Sequence, residues 1–318
     1  MSSLLFDSSI FLAYNIILMK NPRSCYVNAP SKINLHLRIK EKRPDGFHEL
    51  ESIFSALNFG DSIHFEVLNK EGSWDLSIES WEDIDLTGNK NLISQAVALF
   101  RSKTGFGRGL YCHLNKRIPL ASGLGGGSSD AAAALIALNC LSGIKIPLEE
   151  ILSMAAILGS DVPFFLDGGA AWVTGRGECI EPLAYIGNFG ILLVKAPFQS
   201  QTKEAYRLLD DYREKEKVFS SSFPADDLKK ALINPPQNWP FFNDFLPLLP
   251  EADAYKEIID NLYKAGALFS SLSGSGSTCF AVFPDIKKAQ AAEKTIKNKE
   301  FFTQVTFFLA SKAKPVLK

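Results

Sequence analysis

Four glycines fall within five residues at Gly123-Leu124-Gly125-Gly126-Gly127, and Ser128, Ser129 and Asp130 follow at once. Pro119-Leu120-Ala121-Ser122 precede them, and an alanine-rich run through Leu135 comes after. Glycines let a backbone turn sharply and approach a ligand closely. Ser128, Ser129 and Asp130 are helix N-cap types, and the alanines favour a helix over residues 130–141, stopped by Gly143. Free N–H groups at such a helix start form an anion site suited to a polyphosphate. No lysine follows the glycines as a Walker A loop requires, and Ser128 stands where a Rossmann loop has its third glycine. The chain also lacks the H-R-D and D-F-G of protein kinases.

Other residues are ordinary alone and informative together. Asp161 lies in Gly159-Ser160-Asp161-Val162-Pro163, just past a predicted helix at residues 148–158. A turn aspartate is common. Lys32 sits on the polar side of an alternating stretch. A second glycine-rich turn, Ser273-Gly274-Ser275-Gly276, separates a predicted helix from a strand. Gly46-Phe47-His48 follows the turn signal Pro44-Asp45-Gly46. His36, His64 and His113 suggest no role by position.

These groups need a scaffold. Between Cys25 and Lys40, Ile33, Leu35, Leu37 and Ile39 alternate with Lys32, Asn34, His36 and Arg38, which predicts a half-buried strand. Strands are predicted at residues 53–57 and 62–68, with a turn over 58–61, and at 110–115, 164–166, 170–174, 191–194 and 279–283. Helical spacing marks residues 91–102, 203–212 and 254–265, and proline and serine make 219–250 an irregular connection. The loose alternation of strands and helices indicates an α/β or α+β protein.

Composition narrows the class. The chain has 318 residues and a formal net charge of −1, room for about two domains and no global field for nucleic acid or an anionic membrane. Five scattered cysteines without a C-x-x-C predict free thiols in a reducing cytoplasm, not a disulfide framework or a zinc site. Residues 10–19 are apolar but too short to span a bilayer, and the first basic residue, Lys20, comes after them, unlike a signal peptide.

In order, Pro30-Ser31-Lys32-Ile33-Asn34-Leu35, Asp45-Gly46-Phe47-His48, the glycine loop, Gly159-Ser160-Asp161-Val162-Pro163 and Ser273-Gly274-Ser275-Gly276 resemble the GHMP kinases, from about residue 27 to about 285. The resemblance implies an α+β fold with an N-terminal domain over 23–187, a C-terminal domain over 188–318 and an extension over 1–22. ATP and substrate would meet in the cleft between domains, and Mg²⁺ would accompany ATP. By the same resemblance Lys32 and Asp161 are the catalytic pair, and Pro119, Leu120, Ala121, Ser122, Gly123, Leu124, Gly125, Gly126, Gly127, Ser128 and Ser129 bind ATP. Asn34, Phe47, His48, Thr202, Tyr206, Gly274 and Ser275 would hold an alcohol linked to cytidine diphosphate, with Tyr206 as the ring opposite Phe47. Phe47 replaces the usual tyrosine, so the stack survives without its hydroxyl. No metal ligand is assigned; Ser128, Ser129 and Asp161 are the nearest to one. The alternatives are a mevalonate- or homoserine-type kinase, whose substrates have no base to stack, and an inactive metabolite-binding relative.

A chain starting at Met19 is expected to keep its fold and activity. Soluble expression and turnover of that truncation check it, and loss of folded protein would make the segment structural.

Overall fold

The computed structural model describes residues 17–18, 23–82, 86–88, 90–144, 146–198, 200–216, 223–296 and 300–310. The first half runs β1 (Ile17–Leu18), β2 (Ser24–Lys42), β3 (His48–Leu68), β4 (Trp74–Ser80), α1 (Leu92–Thr104), β5 (Gly109–Lys116), α2 (Gly126–Ser142), α3 (Leu148–Leu158), α4 (Phe164–Asp167), β6 (Ala170–Thr174) and β7 (Cys179–Leu183). The second runs β8 (Gly190–Lys195), α5 (Thr202–Glu216), α6 (Ala225–Ala231), α7 (Ala252–Lys264), β9 (Phe269–Leu272), β10 (Thr278–Phe283), α8 (Ile286–Ile296) and β11 (Phe302–Phe307). Among the described residues, one sheet has the order β1-β2-β3-β5-β4, with β6 also on β3 and β7 on β6. The other has the order β11-β8-β10-β9. Most of the 1–22 extension lies outside the described residues; the backbone of Ile17–Leu18 pairs with Cys25–Tyr26 of β2.

β2 departs from the alternation in its sequence. The register shifts between Pro30 and Ser31, where β3 carries the extra residues Asn58 and Phe59, and between Asn34 and His36, where β2 carries the extra residue Leu35, and the odd-numbered side chains of β2 change core across each. Ile33 and Leu35 therefore pack with Ile53, Trp172 and Phe280. Leu37 and Ile39 pack in the other core, with Leu50, Phe54 and the buried side of α2. The polar row splits as well. The Lys32 ammonium lies over Phe54, while His36 meets Phe242 edge-on and the Arg38 guanidinium lies over the same ring. The strand is not half-buried: Lys32, Asn34, His36 and Arg38 are each 5% exposed or less. It is enclosed because the loop after α6 crosses its polar side, where the Leu37 amide donates to the Phe242 carbonyl.

The predicted turn at 58–61 is absent, and β3 runs through it as one strand. Gly60 permits this, since a Cβ there would lie 2.2 Å from the Ala29 carbonyl oxygen of β2. Residues 164–166 begin a short helix, not a strand. Pro163 precedes it with helical dihedrals, and proline is preorganised for a helix start. Strands β4, β7, β9 and β11 and helices α6 and α8 have no counterpart among the predicted elements. α6 lies in the stretch read as irregular, of which residues 219–222 are not described.

α2 starts at Gly126, four residues before the predicted start, with left-handed Gly125 as its N-cap and no side-chain cap. Asp130 is thus inside the helix, fully turned into the core, and does not cap it. Lys116, at the end of β5, donates to Asp130 Oδ2 at 2.8 Å and to Asp61 Oδ2. Asp61 Oδ1 also accepts from the amides of Arg117 and Ile118 at 2.5 and 2.7 Å. This cluster pins β3, β5 and the first turns of α2 to one another. Burial pushes the Asp130 carboxyl up to about 8, against the pull of the Lys116 charge.

Lys116→Met leaves two carboxyls buried without their cation, and about 3–5 kcal/mol of stability should be lost in urea denaturation. The raised Asp130 value means that its bound proton favours the folded state. Its stabilisation is full below about pH 4 and is lost as pH rises towards about 8. Asp130→Asn should flatten that part of the stability–pH curve, and an unchanged slope would assign it to other groups.

Candidate active site

Lys32 is carried on the stretch of β2 between the two register shifts, and its backbone amide donates to the Leu124 carbonyl of the glycine loop at 2.9 Å. Its Nζ donates to Asn34 Oδ1 at 2.7 Å and lies 3.5 Å from Asp161 Oδ2. Asp161 arrives from a different direction, in the turn between α3 and α4. Gly159 ends α3, and the Val162 amide donates back to the Gly159 carbonyl. The lysine side chain is buried, whereas the Asp161 side chain keeps 31% exposure. The site therefore offers an accessible carboxylate with an ammonium fixed beside it. A hydroxyl could donate to that carboxylate while the ammonium attracts a neighbouring anion.

The glycine loop lies against the same strand. Ala121, Gly123 and Gly125 have left-handed φ values of 48°, 76° and 73°. Ser122 Oγ donates to the Pro119 carbonyl. The Ser129 amide donates to the Gly125 carbonyl, so the amides of Gly126, Gly127 and Ser128 precede the first hydrogen bond of the helical ladder. These amides form an anion site, strengthened by the positive end of a helix of 17 residues. A Cβ on Gly126 would meet Lys116 Nζ at 2.9 Å, so this glycine leaves room for the buried charge cluster. Gly127 has an open environment, with only Leu92 Cδ1 at 3.6 Å.

The second glycine turn packs on the first. Ser273 Oγ donates to the Gly123 carbonyl at 2.9 Å and accepts from the Asn34 amide at 3.3 Å. A Cβ on Gly123 would lie 2.2 Å from the Ser273 carbonyl oxygen. Asn243 Nδ2 donates to the carbonyls of Leu272 and Gly274, and its Oδ1 accepts from the Phe245 amide. Ser275 Oγ and Thr202 Oγ1 share a hydrogen bond at 3.0 Å. Ser273, which the sequence reading placed in the second glycine turn without a role, and Asn243, which it did not single out, are structural residues of the site. The Glu82 carboxylate, which accepts from the Leu120 amide at 3.2 Å, was missed too.

Beside this centre is a cavity of about 600 Å³ lined by Phe47, His48, Arg176, Thr202, Tyr206 and Asp210. Phe47 is 52% exposed, with the Arg176 guanidinium 4.8 Å from its ring centre. Tyr206 lines the same cavity, but the ring stacked on it is His48, at 4.9 Å and 21°. Phe47 and Tyr206, expected on opposite sides of the base, thus both line this cavity, and His48 is the ring that packs directly on Tyr206. Burial and then the Asp161 charge push the Tyr206 phenol up to about 12. The cavity lies next to the carboxylate, since a Cβ on Gly177, the neighbour of cavity-lining Arg176, would lie 3.4 Å from Asp161 Oδ1. A cavity of about 710 Å³ against α7 and α8 contains none of the expected site residues. The described residues hold no group of three His, Cys, Asp or Glu side chains able to bind a metal.

Known proteins resemble this chain in sequence and in fold. Residues 91–169 match the GHMP kinases N terminal domain and residues 237–301 the GHMP kinases C terminal domain. A 4-diphosphocytidyl-2-C-methyl-D-erythritol kinase of Prochlorococcus marinus strain AS9601 is 37% identical over 298 residues, covering 89% of this chain and 94% of that protein. The crystal structure of a 4-(cytidine 5'-diphospho)-2C-methyl-D-erythritol kinase superposes with a TM-score of 0.73 at 29% identity, over 89% of this chain and 98% of the other. A homoserine kinase from Cytophaga hutchinsonii gives a TM-score of 0.67 at 21% identity, covering 91% and 95%, which is a likeness of fold alone. With its α+β, two-domain architecture and this degree of identity along most of its length, the chain belongs to the GHMP kinases and, within them, to the 4-diphosphocytidyl-2-C-methyl-D-erythritol kinase family.

Proposed function

We infer that the chain transfers the γ-phosphoryl group of ATP to the 2-hydroxyl of 4-diphosphocytidyl-2-C-methyl-D-erythritol. The observation that carries this reading is the Lys32–Asp161 pair at 3.5 Å, lying between the glycine loop and the aromatic cavity. Asp161 accepts a hydrogen bond from the substrate hydroxyl, orients its oxygen towards the γ-phosphorus and takes its proton as the P–O bond forms. ADP leaves with the electron pair of the broken bond. Lys32 offsets the charge on the transferring oxygens, and the amides of Gly126, Gly127 and Ser128 hold the phosphates. Such general-base help typically contributes about 10²–10⁴-fold.

The cytosine end would lie in the cavity of Phe47, His48 and Tyr206, with Asn34, Thr202, Gly274 and Ser275 along the path to the hydroxyl. A mevalonate or homoserine substrate would leave those rings unused. Residues 23–187 and 188–318 would be the two domains. Mg²⁺ fits as an ion held mainly by phosphates and water. Asp161 and the half-buried Ser128 are the accessible protein oxygens for it, since Ser129 is fully buried. The ion would neutralise phosphate charge.

With ATP, ADP should be released on adding 4-diphosphocytidyl-2-C-methyl-D-erythritol and not on adding mevalonate or homoserine. Release with either of the latter alone would refute the reading. Asp161→Asn should reduce turnover by about 10²–10⁴-fold while calorimetry shows little change in ATP binding. Activity within a few-fold of the unmodified protein would place the base elsewhere.

Gly127→Val puts a branched side chain at the exposed first turn of α2, where only Leu92 is near. ATP affinity should fall about tenfold or more with the melting temperature preserved. Unchanged affinity would remove the loop from the nucleotide site.

A further inference from the structure

Tyr206 and Asp210 are one helical turn apart on α5, so their side chains emerge on the same face. Both meet His48, the first residue of β3. The imidazole lies nearly parallel to the Tyr206 ring, and its Nε2 is 2.7 Å from Asp210 Oδ1. Asp210 Oδ2 accepts from Lys42 Nζ at 3.0 Å. Tyr206 in turn presses edge-on against Phe245 at 5.0 Å. The His48 side chain is 6% exposed, so its orientation is set by these contacts and not by solvent.

Burial works against ionising Asp210, but hydrogen bonds from Lys42 and His48 hold its carboxyl below the usual range. A carboxylate accepts only, so Nε2 of His48 carries the proton and spends it on Asp210. That nitrogen has no proton left for a substrate base. The histidine ring instead forms part of the cavity wall, with its plane fixed against Tyr206.

We propose that Asp210 is a positioning residue of the base pocket: through Nε2 of His48 it locks the imidazole against Tyr206 and so presets the aromatic wall on which the cytosine of the substrate rests. This assignment rests on the function proposed above. Asp210 does not contact the base. Without it, the His48 and Tyr206 rings are free to turn and must be ordered when substrate binds, which lowers affinity for the cytidine end alone. A mere surface ion pair with Lys42, which is 58% exposed, would contribute little to binding.

The test uses the full chain with Asp210→Ala, Asp210→Asn and Lys42→Met. KM for each substrate and kcat are measured, together with calorimetric binding of cytidine 5'-diphosphate without ATP. Asp210→Ala should raise KM for the cytidine substrate and Kd for cytidine 5'-diphosphate about 5- to 30-fold, with kcat and KM for ATP within about threefold. Asp210→Asn keeps an oxygen that accepts from Nε2–H and should recover most of the loss. Lys42→Met leaves the His48–Asp210 hydrogen bond in place and should lose less cytidine affinity than Asp210→Ala. Unchanged cytidine binding in Asp210→Ala would overturn the proposal. So would an asparagine variant as impaired as the alanine one, or equal damage to both substrates with a fallen melting temperature. If the unmodified protein neither phosphorylates the cytidine compound nor binds cytidine 5'-diphosphate, it is the proposed function that fails.

Discussion

The site depends on a join between three pieces of backbone. The Lys32 amide donates to Leu124, the Asn34 amide to Ser273 Oγ, and Ser273 Oγ to the Gly123 carbonyl. Chain segments far apart in sequence, Asn34 and Ser273 by 239 residues and Gly123 and Ser273 by 150, are thereby held within hydrogen-bond distance. A buried amide without a partner is costly, so each of these bonds enforces the others. The join explains the register shifts along β2. Regular pleating would have put Lys32 and Asn34 on the same side as His36 and Arg38, away from Phe54 and the glycine loop.

Behind the loop, Lys116, Asp61 and Asp130 form a second constraint. Burying charge is unfavourable, and such a cluster is weak as a source of stability. Its directional contacts nonetheless fix geometry. Asp61 satisfies two amides at the end of β5, and Asp130 ties the same lysine to α2 one turn after the exposed amides begin. The orientation of the helix start, and so of the anion site, follows from the core beneath it. Gly126 belongs to this arrangement, because its missing side chain makes room for the ammonium.

The cavity proposed for the cytidine substrate is built differently, from rings held by packing and by one charged hydrogen bond. Tyr206 sits between His48 and Phe245, and its phenol feels the Asp161 charge. The proposed recognition end adjoins the Asp161 turn through Arg176 and Gly177. In the proposed reaction this matters more than raw affinity, since a phosphoryl transfer is accelerated chiefly by alignment and charge stabilisation.

Local signals were sufficient for much of this protein. The glycine run, the alanine helix, and Gly143 and Gly159 as helix ends are readable because each acts through neighbours in sequence, whereas the motifs around Lys32, Phe47, Asp161 and Gly274 are ordinary alone and informative only together. Their order also carried the family resemblance. What sequence could not show is decided by distant contacts. Gly60 continues a strand through an apparent turn because β2 passes 2.2 Å from where its Cβ would be. Asp130 looks like a cap and is a buried hydrogen-bond partner of Lys116, which reaches it from the end of β5. His48 pairs with Tyr206 and Asp210 because α5 crosses the start of β3. Residue type and spacing specify what a side chain is able to do, whereas its actual partner depends on packing between segments that no local pattern records.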